Sequence, residues 1–220
     1  MGRHTRYSLM NRLTPFQSEV AKLFFSLPDS SGFLLAGGGA LLVSGLSARP
    51  TRDLDFMGTR ELTAANRLAE KFMKRCRDIG WTVDPVQIEE DFARVLVSHV
   101  ESLIVDIVLD SPAVLPPTTS EVGPVFAGLE LAARKLAALF GRAEARDFAD
   151  VYILSRIFDR SEVLRCAREV DLGINDFGLA EAMRTVRRFR PSEIPLPEEM
   201  VEGAHRFFAA WADELAGREG

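Results

Sequence analysis

The chain lacks most of what would tie a fold together covalently or build a site on soft ligands. Its 220 residues include only two cysteines, Cys76 and Cys166, and three histidines, His4, His99 and His205. The cysteines are far apart and fit no metal spacing, so they read as reduced thiols. The histidines are too scattered to suggest a zinc centre. No apolar run approaches the roughly 20 residues that a membrane span needs. No secretory leader is evident, and a cytoplasmic protein with no membrane partner is expected. Internal repeats and low-complexity segments are also lacking. Nor is there an excess of basic charge. With 27 Lys and Arg against 32 Asp and Glu, the net charge is -5, so no global field draws the chain onto nucleic acid. Local basic clusters remain, at Arg3, Arg6 and Arg12 and again at Arg184, Arg187, Arg188 and Arg190.

What is present supports a real core. Hydrophobic residues make up 47% of the chain and fifteen are Phe, while mean hydropathy is near zero. The length suits one large domain, or a domain with a helical appendage. Residues 14–27 show Thr14 as a cap, Pro15 at the first helical position, and Phe16, Val20, Leu23 and Phe24 at helical spacing. A short apolar run at 32–37 reads as a buried strand, followed by a helix over 40–44. The segment 53–58 is the next strand. A helix is predicted over 63–80, stopped by Gly80. Strands are predicted over 81–86, 92–98 and 102–109. In the last, Leu103, Val105, Ile107 and Leu109 take one face, and Ile104, Asp106 and Val108 the other. Residues 111–124 hold four prolines and read as a loop. Helices follow over 128–141, 145–157, 160–170, 177–190 and 197–217. Strands with interleaved helices, then helices alone, suggest an α+β half over 1–115 and a helical half over 116–220.

Two features stand out from this pattern. Gly37, Gly38 and Gly39 end one apolar run, and Asp53 and Asp55 open the next strand. Glycines let backbone N–H groups approach a ligand closely, and at a helix start those groups favour phosphate. A tight, closely packed turn would use the same residues. Asp53 and Asp55, at i and i+2 of a strand, point to one face with Cα atoms roughly 6–7 Å apart. Two carboxylates that close call for a cation between them, and Mg2+ suits oxygen ligands. A solvated edge strand, with Arg49 or Arg52 pairing the acids, is the alternative. Asp106 interrupts an apolar strand, and if that strand neighbours 53–57 three carboxylates converge. Such a set suits two metals and an in-line phosphoryl displacement.

With these residues in view the chain resembles the polymerase-β-like nucleotidyltransferases, and in finer pattern the AbiEii/MenT branch, toxins of bacterial toxin–antitoxin pairs. The resemblance rests on GGGAL at 37–41 and RPTRDLDF at 49–56. It continues in LELAARKLAALFGRAEARDFADVY at 129–152. Gly39 departs from the pattern, since the family usually has Thr or Ser there. The resemblance implies a polymerase-β-like core, a mixed sheet with flanking helices, followed by a helical C-terminal half. It implies an Mg2+-dependent nucleotidyltransferase using NTP. Asp53, Asp55 and Asp106 would hold metal, and Gly37, Gly38 and Gly39 would cradle the phosphates. Lys135 and Arg142 would meet the same phosphates, and Asp147 would belong to the active site, with Asp147 or Asp106 activating the attacking hydroxyl. From its own surroundings, Lys135 either extends to solvent or points into a cleft. Asp147 equally suits a helix N-terminus. Asp150 is expected to orient Arg146, at i, i+4, or Arg142.

The implied acceptor is RNA, with the 3′ end of tRNA foremost, and the implied partner is a cognate antitoxin, as a protein or through a kinase-like activity. Thr51 falls where the family has a Ser or Thr before the acids. A phosphate there would add about -1.5 to -2 charges beside Asp53 and Asp55, giving the expectation that its modification silences the enzyme. The arginines of 184–190 would track an RNA backbone or form a solvated helix face. Two other readings use the same residues: transfer to a small molecule such as an antibiotic, or to a protein hydroxyl, and an inactive NTP- or RNA-binding module.

Overall fold

The structure, a computed structural model, describes residues 12–217. The chain divides into two compact units between Gly128 and Leu129.

The first unit is built on a seven-stranded mixed sheet, in the order β3-β4-β5-β2-β1-β7-β6. Its strands are β1 (Leu34–Ala36), β2 (Asp53–Gly58), β3 (Thr82–Ile88), β4 (Phe92–Ser98), β5 (Ser102–Leu109), β6 (Thr118–Thr119) and β7 (Pro124–Val125). Antiparallel pairing joins β3 to β4, β4 to β5, β1 to β2 and β6 to β7, while β2 runs parallel to β5 and β1 to β7. Pro85 sits in β3 beside a register shift, a position that an edge strand tolerates because a proline has no N–H to donate. Among the described residues the unit also holds α1 (Pro15–Phe25), α2 (Gly37–Val43) and α3 (Ala65–Asp78).

Local chemistry sets their limits. At the start of α1, Thr14 Oγ1 accepts from the Gln17 amide at 3.1 Å, and Gln17 Oε1 accepts from the Thr14 amide at 2.9 Å, a reciprocal cap. Helix α3 stops before Gly80, whose φ of +86° reverses the chain. Burial pushes the thiol of Cys76, on the inner face of α3, up to about 12.

The core of this unit is aromatic. Phe24 of α1 stacks on Phe56 of β2, with ring centroids 3.8 Å apart, and meets Phe33 and Phe72 edge-on at 5.9 and 5.8 Å. Strand β2 alternates strictly: Leu54 and Phe56 are fully buried, while Asp53, Asp55 and Met57 are half-buried on the other face.

The expected loop over 111–124 instead adds β6 and β7 to the sheet edge, β7 through Leu35 opposite Val125. Strands of two residues carry no readable period; the division was expected between residues 115 and 116, and the two compact units part between Gly128 and Leu129. Both short strands pack with the sheet.

The second unit is helical: α4 (Gly128–Arg142), α5 (Ala145–Leu154), α6 (Arg160–Val170), α7 (Asp176–Arg184) and α8 (Glu198–Ala216). Asp159 caps α6 by accepting from the Ser161 and Glu162 amides, and Asn175 caps α7 through the Gly178 amide. The expected helix over 177–190 ends at Arg184 and tightens into a 3-10 turn over Thr185–Arg188. Thr185 Oγ1 donates back to the Ala182 carbonyl, and Pro191 bars its preceding residue from helical backbone. Phe148 of α5 meets Phe208 of α8 at 5.0 Å. Among the described residues no helix is long and apolar enough to cross a membrane.

Phe24 joins α1 to β2 and is fully buried. Phe24→Ala is expected to cost about 3–5 kcal/mol of stability, read as a shift of the urea unfolding midpoint with an unchanged slope. A loss under about 1 kcal/mol would show that the aromatic cluster does not hold this unit together.

Candidate active site

Asp53 and Asp55 lie on the face of β2 opposite Leu54 and Phe56, because the strand alternates with a period of two. The register extends this face sideways. Asp55 lies opposite Asp106 of β5, and Asp106 opposite Arg94 of β4. On the other side Asp55 lies opposite Ala36, the last residue of β1. Directly opposed residues share a face, so Arg94, Asp106 and Asp55 form one row across three strands, with Asp53 two residues along.

Three carboxylates so placed would repel one another. Arg94 counters them. Its Nε and Nη2 donate to the two oxygens of Asp106, both at 2.7 Å. Asp106 is buried, and a paired, two-bond contact is what a buried carboxylate requires. The bonds to Asp106 raise the Arg94 pKa; burial opposes this, and the charges of Asp106, Asp53 and Asp55 add to it. The expected convergence of three acids is therefore present as a row, but the third acid is held by a guanidinium. Among the described residues, no three His, Cys, Asp or Glu side chains are grouped as a metal cage.

The glycines form the first turn of α2 and are not a loop ahead of it. Gly37 has φ +59°, and a Cβ there would fall 1.7 Å from Asp55 Oδ2. A Cβ on Gly38 would fall 2.6 Å from Thr51 Oγ1. Thr51 in turn donates to Asp53 Oδ1 at 2.6 Å, and its carbonyl accepts from Gln17 Nε2 at 2.9 Å. Gly39 differs from both. It is buried, and a side chain there would press on Leu54, 2.9 Å from its Cδ2. The missing family hydroxyl at this position would thus point at apolar core.

A divalent cation fits this face. Asp53 and Asp55 offer oxygen ligands on one side of one strand, and the bare backbone of Gly37 leaves room for the Asp55 carboxylate. Two protein carboxylates, with water and phosphate oxygens for the rest, suit a hard cation.

The remaining candidates lie in the helical unit, in two ion pairs. Lys135 Nζ is 2.8 Å from Asp150 Oδ2, with both side chains largely buried. It does not extend into solvent. Arg142 Nε and Nη2 donate to Asp147 Oδ2 and Oδ1 at 2.9 and 2.8 Å, and the Glu144 amide donates to Asp147 at 3.2 Å. Asp147 is fully buried. With both oxygens engaged, it acts here as a cap for α5 and a holder of Arg142; this is a different arrangement from the expected activator of a hydroxyl. The expected partnership of Asp150 with Arg146 is replaced. Asp150 takes Lys135, and Arg146 Nε pairs with Glu144 at 2.9 Å. Arg187, Arg188 and Arg190 are exposed, while Arg184 is engaged by Glu181 and Asp213.

Sequence reasoning missed Arg94. The signal was available in the short connection between β4 and β5. Pairing Ser98 with Ser102 across residues 99–101 puts 94 opposite 106.

The family model described as nucleotidyl transferase AbiEii toxin, type IV toxin–antitoxin system, matches residues 23–215. Among solved structures the chain is similar to MenT4, a nucleotidyltransferase toxin from Mycobacterium tuberculosis H37Rv. The TM-score is 0.63 at 20% identity, covering 94% of this chain and 84% of that one. It is also similar to JHP933 from Helicobacter pylori, with TM-score 0.55 at 16% identity, covering 99% of this chain and 94% of that one. A search of curated protein sequences gave no match. The structural likenesses establish the expected α+β fold, a mixed sheet with flanking helices. The family match, which spans most of the chain, establishes more: the chain belongs to the AbiEii family of nucleotidyltransferase toxins.

Proposed function

We propose that the protein transfers NMP from NTP to the 3′ hydroxyl of an RNA, foremost tRNA, in the cytoplasm, with Mg2+ as the metal. The observation that carries the reading is the pair Asp53 and Asp55 on the open face of β2, beside a glycine turn with no side chain to obstruct them. The family brings with it an NTP substrate and an antitoxin partner.

In this reading Asp53 and Asp55 hold Mg2+, which when bound shields the phosphate charges and polarises the reacting phosphorus. The chain's own groups do the rest. Gly37 and Gly38 leave their backbone open to the nucleotide. Lys135 and Arg142 are the cations offered to its phosphates, each kept in position by a buried carboxylate, Asp150 and Asp147. The acceptor hydroxyl gives up its proton to water as its oxygen bonds to the α-phosphorus, the bond to the bridging oxygen breaks, and pyrophosphate leaves. Fixed cations stabilise the charge that develops on that leaving group. Exposed Arg187, Arg188 and Arg190 suit an RNA backbone.

Asp53→Asn and Asp55→Asn are each expected to lower transfer by at least about a hundredfold, since several kcal/mol of charge stabilisation depend on the metal. The thermal midpoint should hold or rise, because one of two neighbouring like charges is removed. Wild-type rates in both variants would sink the assignment of these acids.

Lys135 calls for a paired test. Lys135→Met alone removes the lysine paired with buried Asp150, and about 3–5 kcal/mol of stability should go with it. Adding Asp150→Leu should restore much of the stability, because an apolar pair can replace a buried ion pair at little cost. Transfer should stay lost in the double variant. If transfer returned with stability, Lys135 would be a structural residue only.

The acceptor is tested by offering each labelled NTP with total tRNA, duplex DNA, protein and an antibiotic in parallel. Label is expected at tRNA 3′ ends and not on duplex DNA. Replacing Arg187, Arg188 and Arg190 by Ala should raise KM for tRNA and flatten its salt dependence, leaving KM for NTP unchanged. Label on another acceptor alone, with none on tRNA, would overturn the RNA reading. Label on no acceptor at all would leave an NTP- or RNA-binding module.

A further inference from the structure

Arg94 has no part in the transfer chemistry set out above, yet it sits in the same row as the metal-binding acids. Its placement is fixed from both sides. The β4–β5 register sets it opposite Asp106, and the β5–β2 register sets Asp106 opposite Asp55. The guanidinium makes both of its bonds to Asp106 at 2.7 Å, and its central carbon lies 5.6 Å from the centre of the Phe92 ring. The two partners differ in exposure. The Asp106 side chain is 8% exposed and that of Arg94 is 43% exposed. Asp106 therefore cannot turn away to water, whereas the guanidinium can leave toward it. A guanidinium and a divalent cation also compete for the same acids. Like charges so close repel one another, so the row does not comfortably hold both.

We propose that Arg94 is a tethered counter-cation that limits metal binding in the nucleotide-free enzyme, keeping Asp106 out of the coordination sphere until the guanidinium is drawn off. The inference rests on the reading of Asp53 and Asp55 as metal ligands. It makes Arg94 a positioning residue for the metal site. The row of acids is neutralised in part by the chain itself, and the site takes its full complement of divalent charge only when another anion, such as the phosphates of NTP, is there to receive Arg94.

The test is Mn2+ binding to the nucleotide-free protein, followed by electron paramagnetic resonance of the free ion, so that the readout does not depend on turnover. Arg94→Gln is expected to bind Mn2+ at least about tenfold more tightly than wild type, or to take up a second ion. Adding Asp106→Asn should abolish the gain, because the freed carboxylate is its source. Asp53→Asn should weaken binding in every background. If Arg94→Gln fails to fold, Arg94→Lys keeps the charge and loses the two-bond fork. It should tighten Mn2+ binding by a smaller factor, and no change would count against the proposal. Wild type and Arg94→Gln binding alike, while Asp53→Asn abolishes binding, would overturn the role of Arg94 and leave the metal site standing. Binding by neither protein would overturn both.

Discussion

The acidic face depends on one constraint: β2 has to serve two environments with a period of two. Leu54 and Phe56 face the core, and Asp53 and Asp55 face the other way. A slip of one residue would carry both acids into the aromatic cluster and both apolar side chains out of it. The stack of Phe24 on Phe56 therefore does more than bury surface. It fixes the register that aims the carboxylates, and with it the positions of Asp106 and Arg94 on the strands beyond. The pairing of β2 with β5 is parallel, so the third acid comes from a strand far along the chain and not from a hairpin turn next to the first two.

Charge follows from that geometry. Among the described residues four acids are buried, Asp106, Glu130, Asp147 and Asp150. Each has an arginine or lysine against it: Arg94, Arg134, Arg142 and Lys135. An isolated buried carboxylate is costly, and pairing offsets much of that cost. Such pairs are poor devices for stability alone, since apolar residues could replace them. They are good devices for holding a long flexible cation in one place.

The parts of the fold that were legible in the sequence are those with a sustained period. Strands β2, β4 and β5 and helices α1, α3 and α6 fell close to their expected limits, because alternation or helical spacing runs through the whole of each. β6 and β7 were not legible, since two residues define no period and four prolines in the segment argue for a loop. The acids at 53 and 55 were legible for the same reason as the strand that carries them. Their partners were less so. The opposition of Arg94 and Asp106 depends on hairpin register, and that of Lys135 and Asp150 on which sides of α4 and α5 meet. Spacing along one helix offered Arg146 to Asp150 at i, i+4, and Asp150 instead takes a lysine from another helix. Local proximity lost to burial: Arg146 is half-exposed and Asp150 nearly enclosed.

The glycine turn shows why two readings of one motif need not compete. A turn packed tightly on a strand and a backbone left open to a ligand are usually weighed as alternatives. Here the close packing is against the site itself. The space a Cβ would need at Gly37 is taken by the Asp55 carboxylate, and at Gly38 by the Thr51 hydroxyl, which in turn bonds Asp53. Side chains at 37 and 38 would displace the acids before they obstructed any nucleotide. Gly39 is under a separate requirement, set by Leu54 in the core. Its departure from the family's Ser or Thr therefore takes nothing from the acidic face, and a hydroxyl restored there would meet hydrocarbon on the far side of the turn.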